Sequence, residues 1–134
     1  MNWKEIKEKY PLAFEKFQGN KDGYYWDVVI GHDRNNNEWS YLDLFRNEMR
    51  DMDGSVYHNR DLYNFFDDNL FMIEIFINFT RVGYGSPLYA FRVKEFTENS
   101  DNDSSTLYRS RTECEIDAFT EAFKKLNHKL IKLQ

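Results

Sequence analysis

The stretch Phe71-Met72-Ile73-Glu74-Ile75-Phe76-Ile77-Asn78-Phe79 decides the reading of this chain. Phe71, Ile73, Ile75, Ile77 and Phe79 hold every second position, and all are apolar. Alternation at period two is the mark of a strand with one buried face. Tyr89, Phe91 and Val93 repeat the pattern after Gly83-Tyr84-Gly85-Ser86-Pro87. Two such runs around a Gly/Pro turn predict an antiparallel hairpin. A turn centred near Tyr84 sets Phe79 against Tyr89, Ile77 against Phe91 and Ile75 against Val93. On the other face Phe76 then meets Arg92, and Glu74 meets Lys94. A slip by two residues keeps the faces and is the competing register. A slip by one would turn Glu74 into the core.

Outward from the hairpin, Leu107 and Tyr108 are expected as a short further strand of the same sheet. The polar run Glu98 to Ser105 separates them from it as a mobile loop. Thr112 and Glu115 have capping-box spacing, which starts a long C-terminal helix. Ile116, Phe119, Ala122, Phe123, Leu126, Leu130 and Leu133 share its apolar face. Upstream, Asn59 caps a short helix carrying Leu62, Tyr63, Phe65 and Phe66. Glu38 to Met52 fits helical spacing through Trp39, Leu42, Phe45, Met49 and Met52, ending at Asp53-Gly54. A strand start at Trp39, Tyr41 and Asp43 is the alternative. Tyr24 to Ile30 alternates as a strand, followed by a polar turn from Gly31 to Asn37. At the start, Asn2 caps a helix with Trp3, Ile6 and Tyr10 on one face. Pro11 opens a second helix with Leu12, Phe14 and Phe17, and Gly19 ends it. The expected fold is α+β. It has a three- or four-stranded antiparallel sheet, helices packed on it, and a long C-terminal amphipathic helix, all in one domain of residues 1–134.

Composition narrows the function. Aromatic residues make up 18% of the 134 residues, which supports a folded core and argues against a disordered chain. The net charge of −5 disfavours a nucleic-acid partner, because binding a phosphate backbone needs surplus Lys and Arg. The lone Cys114 can form neither an internal disulfide nor a multi-cysteine zinc site, so a reducing, cytoplasmic setting is expected. No signal-peptide pattern opens the chain, and Leu70 to Phe79 is too short and too polar for a bilayer span. No membrane association is expected.

No phosphate-binding, dinucleotide, metalloprotease, nucleophile-elbow or CxxC motif occurs. His32, Asp33 and Glu38, or His58 with Asp61, have the atom types for zinc or manganese but no specific ligand spacing. Asp51-Met52-Asp53-Gly54 begins like a calcium loop whose later ligands are out of register. Cys114 lacks a base to activate it. Asp67 and Asp68 read as a solvated helix end. Neither a catalytic residue, a metal site nor a cofactor is assigned. The acidic residues Glu95, Glu98, Asp101, Asp103, Glu113, Glu115 and Asp117 offer a face for a basic partner or a mimic of nucleic-acid phosphates. Tyr25, Tyr41 and Tyr84 fall off the assigned core faces and are candidate contact aromatics.

Tyr10-Pro11-Leu12-Ala13-Phe14-Glu15-Lys16-Phe17, Asp61-Leu62-Tyr63-Asn64-Phe65-Phe66-Asp67-Asp68 and Arg111-Thr112-Glu113-Cys114-Glu115 with Ala118-Phe119 and Ala122-Phe123 carry one resemblance. On these segments, about a third of the chain, it resembles small proteins encoded by Bacteroidetes genomes and their phages and mobile elements. The resemblance implies a phage or mobile-element origin and carries no activity. Such proteins more often have Ala at the position of Cys114, which implies a packing role for that thiol.

The function expected from these residues is a non-enzymatic, acidic protein-binding module, with Tyr25, Tyr41, Tyr84, Asp101 and Asp103 as binding residues. A small metal-dependent hydrolase using His32, Asp33, Glu38 or His58 is one alternative. An acidic phosphate-mimicking inhibitor of a nucleic-acid-binding protein is the other. Oligomeric state is open.

Overall fold

A computed structural model describes residues 1–19, 29–32, 35–47, 56–57, 59–77, 88–97, 104 and 106–134. The chain mixes helix and strand in the order α1 Trp3–Lys9, α2 Pro11–Gln18, β1 Val29–His32, β2 Glu38–Ser40, α3 Tyr41–Asn47, β3 Val56–Tyr57, α4 Arg60–Asp68, β4 Phe71–Ile77, β5 Tyr89–Glu95 and α5 Arg111–Lys132. None of the helices among the described residues is long and apolar enough to cross a membrane.

The strands form two small antiparallel sheets rather than one sheet of three or four strands. In the first, β1 pairs with β2 on one side and with the two-residue β3 on the other. In the second, β4 pairs with β5. The expected strand at Leu107-Tyr108 contracts to a single bridge. Tyr89 and Tyr108 exchange N–H···O=C bonds of 2.7 and 2.9 Å. Ser104 also lies beside β5, donating its N–H to the Phe91 carbonyl and accepting the Phe91 N–H on Oγ.

The hairpin register is shifted by two residues from the expected one. Ile75 faces Phe91, Ile73 faces Val93, Ile77 faces Tyr89 and Glu74 faces Arg92. The odd-numbered residues still point to the core, so the burial pattern cannot distinguish the two registers. The charges cannot either, because Glu74 finds a cation at Arg92 or at Lys94. In the structure Arg92 Nη1 lies 3.5 Å from Glu74 Oε2, and its guanidinium sits 5.5 Å from the Phe76 ring centroid. Contacts from outside the hairpin favour the observed pairing. Lys129 of α5 binds Glu95 at 2.7 Å and lies over the Phe71 ring, and Phe71 and Glu95 are direct partners only in this register.

Three other expectations are revised. Glu38–Ser40 is strand, and the helix begins only at Tyr41. Asp43 Oδ2 accepts the Ser40 N–H and hydroxyl, and this local bonding starts the turn into α3. Gly31 and His32, expected in a polar turn, extend β1. The N-cap of α5 is Ser110, whose Oγ accepts the Glu113 N–H, so Thr112 and Glu115 form no capping box. Asn2 caps α1, Pro11 is the first residue of α2, and Gly19 follows its end, all as the sequence predicts.

One buried cluster draws on all five helices and on β1, β4 and β5. Its centre is aromatic. Trp3 stacks on Phe17 at 5.5 Å, and Tyr41 meets both edge-on at 5.6 and 5.3 Å. Phe65 packs on Phe17, and Phe123 on Phe66, each at 5.0 Å. Edge-on and offset ring pairs of this kind add about 0.5–1.5 kcal/mol each beyond their buried area. Phe119 and Phe123 of α5 are fully buried in this cluster, as the apolar stripe predicts. Leu133 departs from the stripe and is 73% exposed.

A buried asparagine locks α5 onto α2. Tyr10 occupies the N-cap position of α2 without a side-chain cap bond. Asn127 Oδ1, from the C-terminal half of α5, accepts the Leu12 N–H at 2.9 Å and the Ala13 N–H at 3.1 Å. A residue 115 positions away thus does the work of a local cap.

Candidate interaction surface

Helix α4 ends at one corner of the β4–β5 sheet. Asn69 is its C-cap, and the Asn69 side chain donates to the Phe65 carbonyl at 2.7 Å. Leu70 follows with φ of +66°, in the left-handed region that usually takes glycine. The Leu70 N–H donates to the Asp67 carbonyl at 3.0 Å, and the Phe96 N–H donates to the Leu70 carbonyl at 2.8 Å. These bonds chain Asp67, Leu70 and Phe96 into one corner. Leu70 is 49% exposed and Phe96 52% exposed, although both are large apolar side chains.

The acids at this corner oppose their own helix. The last turn of α4 carries Asp67 and Asp68 and no basic residue. A helix C-terminus carries partial negative charge and favours cations. Desolvation, and then the neighbouring Asp68 carboxylate, raise the Asp67 pKa above its usual value. The corner therefore combines exposed apolar area, a strained leucine and two carboxylates.

The sequence-level candidates fare unevenly. Tyr41 is not a contact residue, because its side chain is fully buried between Trp3 and Phe17. It opens a helix whose inner face turns it into the core, which the off-face reading missed. Tyr25, Tyr84, Asp101 and Asp103 lie outside the described residues. Of the acidic run, Glu98, Asp101 and Asp103 lie outside the described residues, and three of the described members bond within the chain. Glu95 is paired with Lys129. Glu115 accepts the Asn59 Nδ2–H at 2.6 Å and the Tyr63 hydroxyl at 2.9 Å, bonding the start of α4 to α5. This also explains why Asn59, at the N-cap position of α4, makes no cap bond with its side chain. Asp117 accepts the Tyr108 hydroxyl at 2.7 Å. Burial and then Glu115 push the Tyr63 pKa up, and burial and then Asp117 push up that of Tyr108, so both phenols stay protonated donors.

His32 and Glu38 face each other across β1 and β2. Asp33 and His58 lie outside the described residues, and among the described ones no three metal-ligating side chains converge. Cys114 is buried, and desolvation with the nearby Asp117 and Glu115 pushes its thiol up to about 11. A thiol held protonated at neutral pH is a poor nucleophile.

The exposed corner at Leu70 and Phe96 left little trace in the sequence. Phe96 continues an alternating strand on its polar side, and Leu70 sits at a helix end where a glycine would have been expected. No family model matches this chain, and neither a curated protein nor a solved structure matches it.

Proposed function

We propose that this chain is a protein-binding module that docks a basic, apolar segment of its partner at the Leu70–Phe96 corner. The observation that carries the reading is two exposed apolar residues, Leu70 and Phe96, joined by a backbone hydrogen bond at the end of a helix whose last turn carries Asp67 and Asp68. Exposed apolar anchors beside charge are the usual makings of a contact surface. Lysine or arginine on the partner would pair with the exposed Asp67, and an apolar residue would cover Phe96. The resemblance to phage and mobile-element proteins suggests a partner encoded by the host or by the element itself.

The test compares capture of proteins from host lysate by the unaltered chain, Phe96→Ser and Asp67→Lys, read by mass spectrometry. Both substitutions fall on exposed side chains, so the melting midpoint should stay within a few degrees. The reading expects one partner lost with each variant, and its capture to weaken with salt. If both variants retain every captured protein, the corner is not the docking site.

A further inference from the structure

We infer that α5 pairs with the α5 of a second copy, antiparallel and about a two-fold axis, through a charge palindrome on its solvent-facing stripe. Glu113, Asp117 and Glu121 occupy that stripe in the first half of the helix, at spacings of four residues. Lys124, His128 and Lys132 occupy it in the second half, again at spacings of four. Five of the six are exposed and Glu121 is half-buried. The pattern is symmetric about a point between Ala122 and Phe123. Reversing one helix against another therefore sets Glu113 opposite Lys132, Asp117 opposite His128 and Glu121 opposite Lys124, and the two-fold axis repeats each pair. Interfaces about a two-fold axis use the same patch on both copies, so a self-complementary pattern is what they require.

The pattern exceeds what the helix needs for itself. The dipole favours acids in the first turn and bases in the last, and its influence fades beyond them. Asp117, Glu121, Lys124 and His128 all lie further in. Within one helix, like charges four residues apart repel. Glu113–Asp117–Glu121 is such a ladder, and Lys124 and Lys132 put two cations on the other half of the same stripe. A second copy places each half against its opposite, and a partner of uniform charge would satisfy only one of them. Asp117 is exposed although its Oδ2 accepts the Tyr108 hydroxyl. Ile131, 52% exposed, lies on the same stripe and adds apolar contact. The apolar core face of α5 is not involved, so pairing needs no change of fold. This stripe shares no residue with the Leu70–Phe96 corner, and the substitutions that test one leave the other's residues intact.

Sedimentation equilibrium of the full chain tests the pairing. At ~20 mM salt the chain should show a concentration-dependent dimer, and at ~0.5 M salt, where screening reaches only a few ångströms, a monomer. The variant Glu113→Lys with Asp117→Lys should be monomeric at low salt, as should His128→Glu with Lys132→Glu. Mixing the two should recover a dimer. Circular dichroism identifies a variant that has lost its helix. In that event the neutral variant Glu113→Gln with Asp117→Asn decides, with association expected to weaken about tenfold at unchanged melting. A monomer at low salt overturns the inference. So does a dimer indifferent to salt, or one indifferent to these substitutions.

Discussion

Asn127→Ala should destabilise this chain, because it removes an acceptor on α5 that two N–H groups of α2 share. Pro11 has no N–H, so the free donors at the start of α2 are those of Leu12 and Ala13, and Asn127 Oδ1 takes both. Ala13 is fully buried and has no access to water, whereas Leu12 is half-buried. Leaving a buried N–H unsatisfied costs about 1–3 kcal/mol, and losing a cap costs typically about 1 kcal/mol. Together they predict a loss of about 2–4 kcal/mol. Thermal unfolding followed by circular dichroism should show the melting midpoint falling by about 7–14 °C, given an unfolding entropy of about 2 cal/mol/K per residue over 134 residues. Asn127→Asp keeps an oxygen in place and puts a carboxylate at a helix N-terminus, where the dipole favours it. It should lose less than Asn127→Ala at pH 7, and the difference should narrow as protonation of the carboxylate on acidification removes the charge and leaves the acceptor oxygen. Amide exchange at Leu12 and Ala13 should accelerate in Asn127→Ala more than exchange elsewhere in α2. A loss below about 1 kcal/mol, or an aspartate no better than alanine, would refute the idea that this oxygen caps α2.

Two further outcomes follow from positions with unusual backbone or burial. Leu70→Gly should be more stable than Leu70→Ala by roughly 1 kcal/mol in urea unfolding, the reverse of the order inside a helix, because φ is +66° there; alanine equal to or better than glycine would show that the left-handed conformation is not held. The Cys114 thiol is raised from its ordinary 9.0 to about 11, so the unfolded chain loses this proton first as pH rises. Stability should therefore begin to decline from about pH 9, and Cys114→Ala should delay that decline to about pH 10, where Tyr63 and Tyr108, both raised from 10.0 in the folded chain, take over. A profile identical in both proteins would mean that the thiol contributes nothing to the alkaline loss.

The sequence by itself determined the elements whose signals are local. Asn2 and Pro11 mark helix starts because a cap or a fixed φ acts within one turn. The alternation from Phe71 to Ile77 and from Tyr89 to Val93 determined which side of each strand is buried. The stripe through Phe119 and Phe123 determined the inner face of α5. Tertiary structure decided whatever depends on choosing among equivalent partners. Two registers of the hairpin bury the same residues and match Glu74 with a cation, and contacts beyond the paired strands separate them: Lys129 reaches Glu95 and Phe71 from α5, and the Phe96 N–H bonds the Leu70 carbonyl. Glu115 has capping-box spacing but bonds Asn59 and Tyr63, because α4 packs within reach of its carboxylate. Tyr41 lies in the core because the chain turns from strand to helix at Ser40, one residue before it. Asn127 looks out of place on an apolar stripe until the first turn of α2 is packed against it. Its side-chain oxygen answers a need created 115 residues away, and no local pattern can register a donor that only the folded chain brings near.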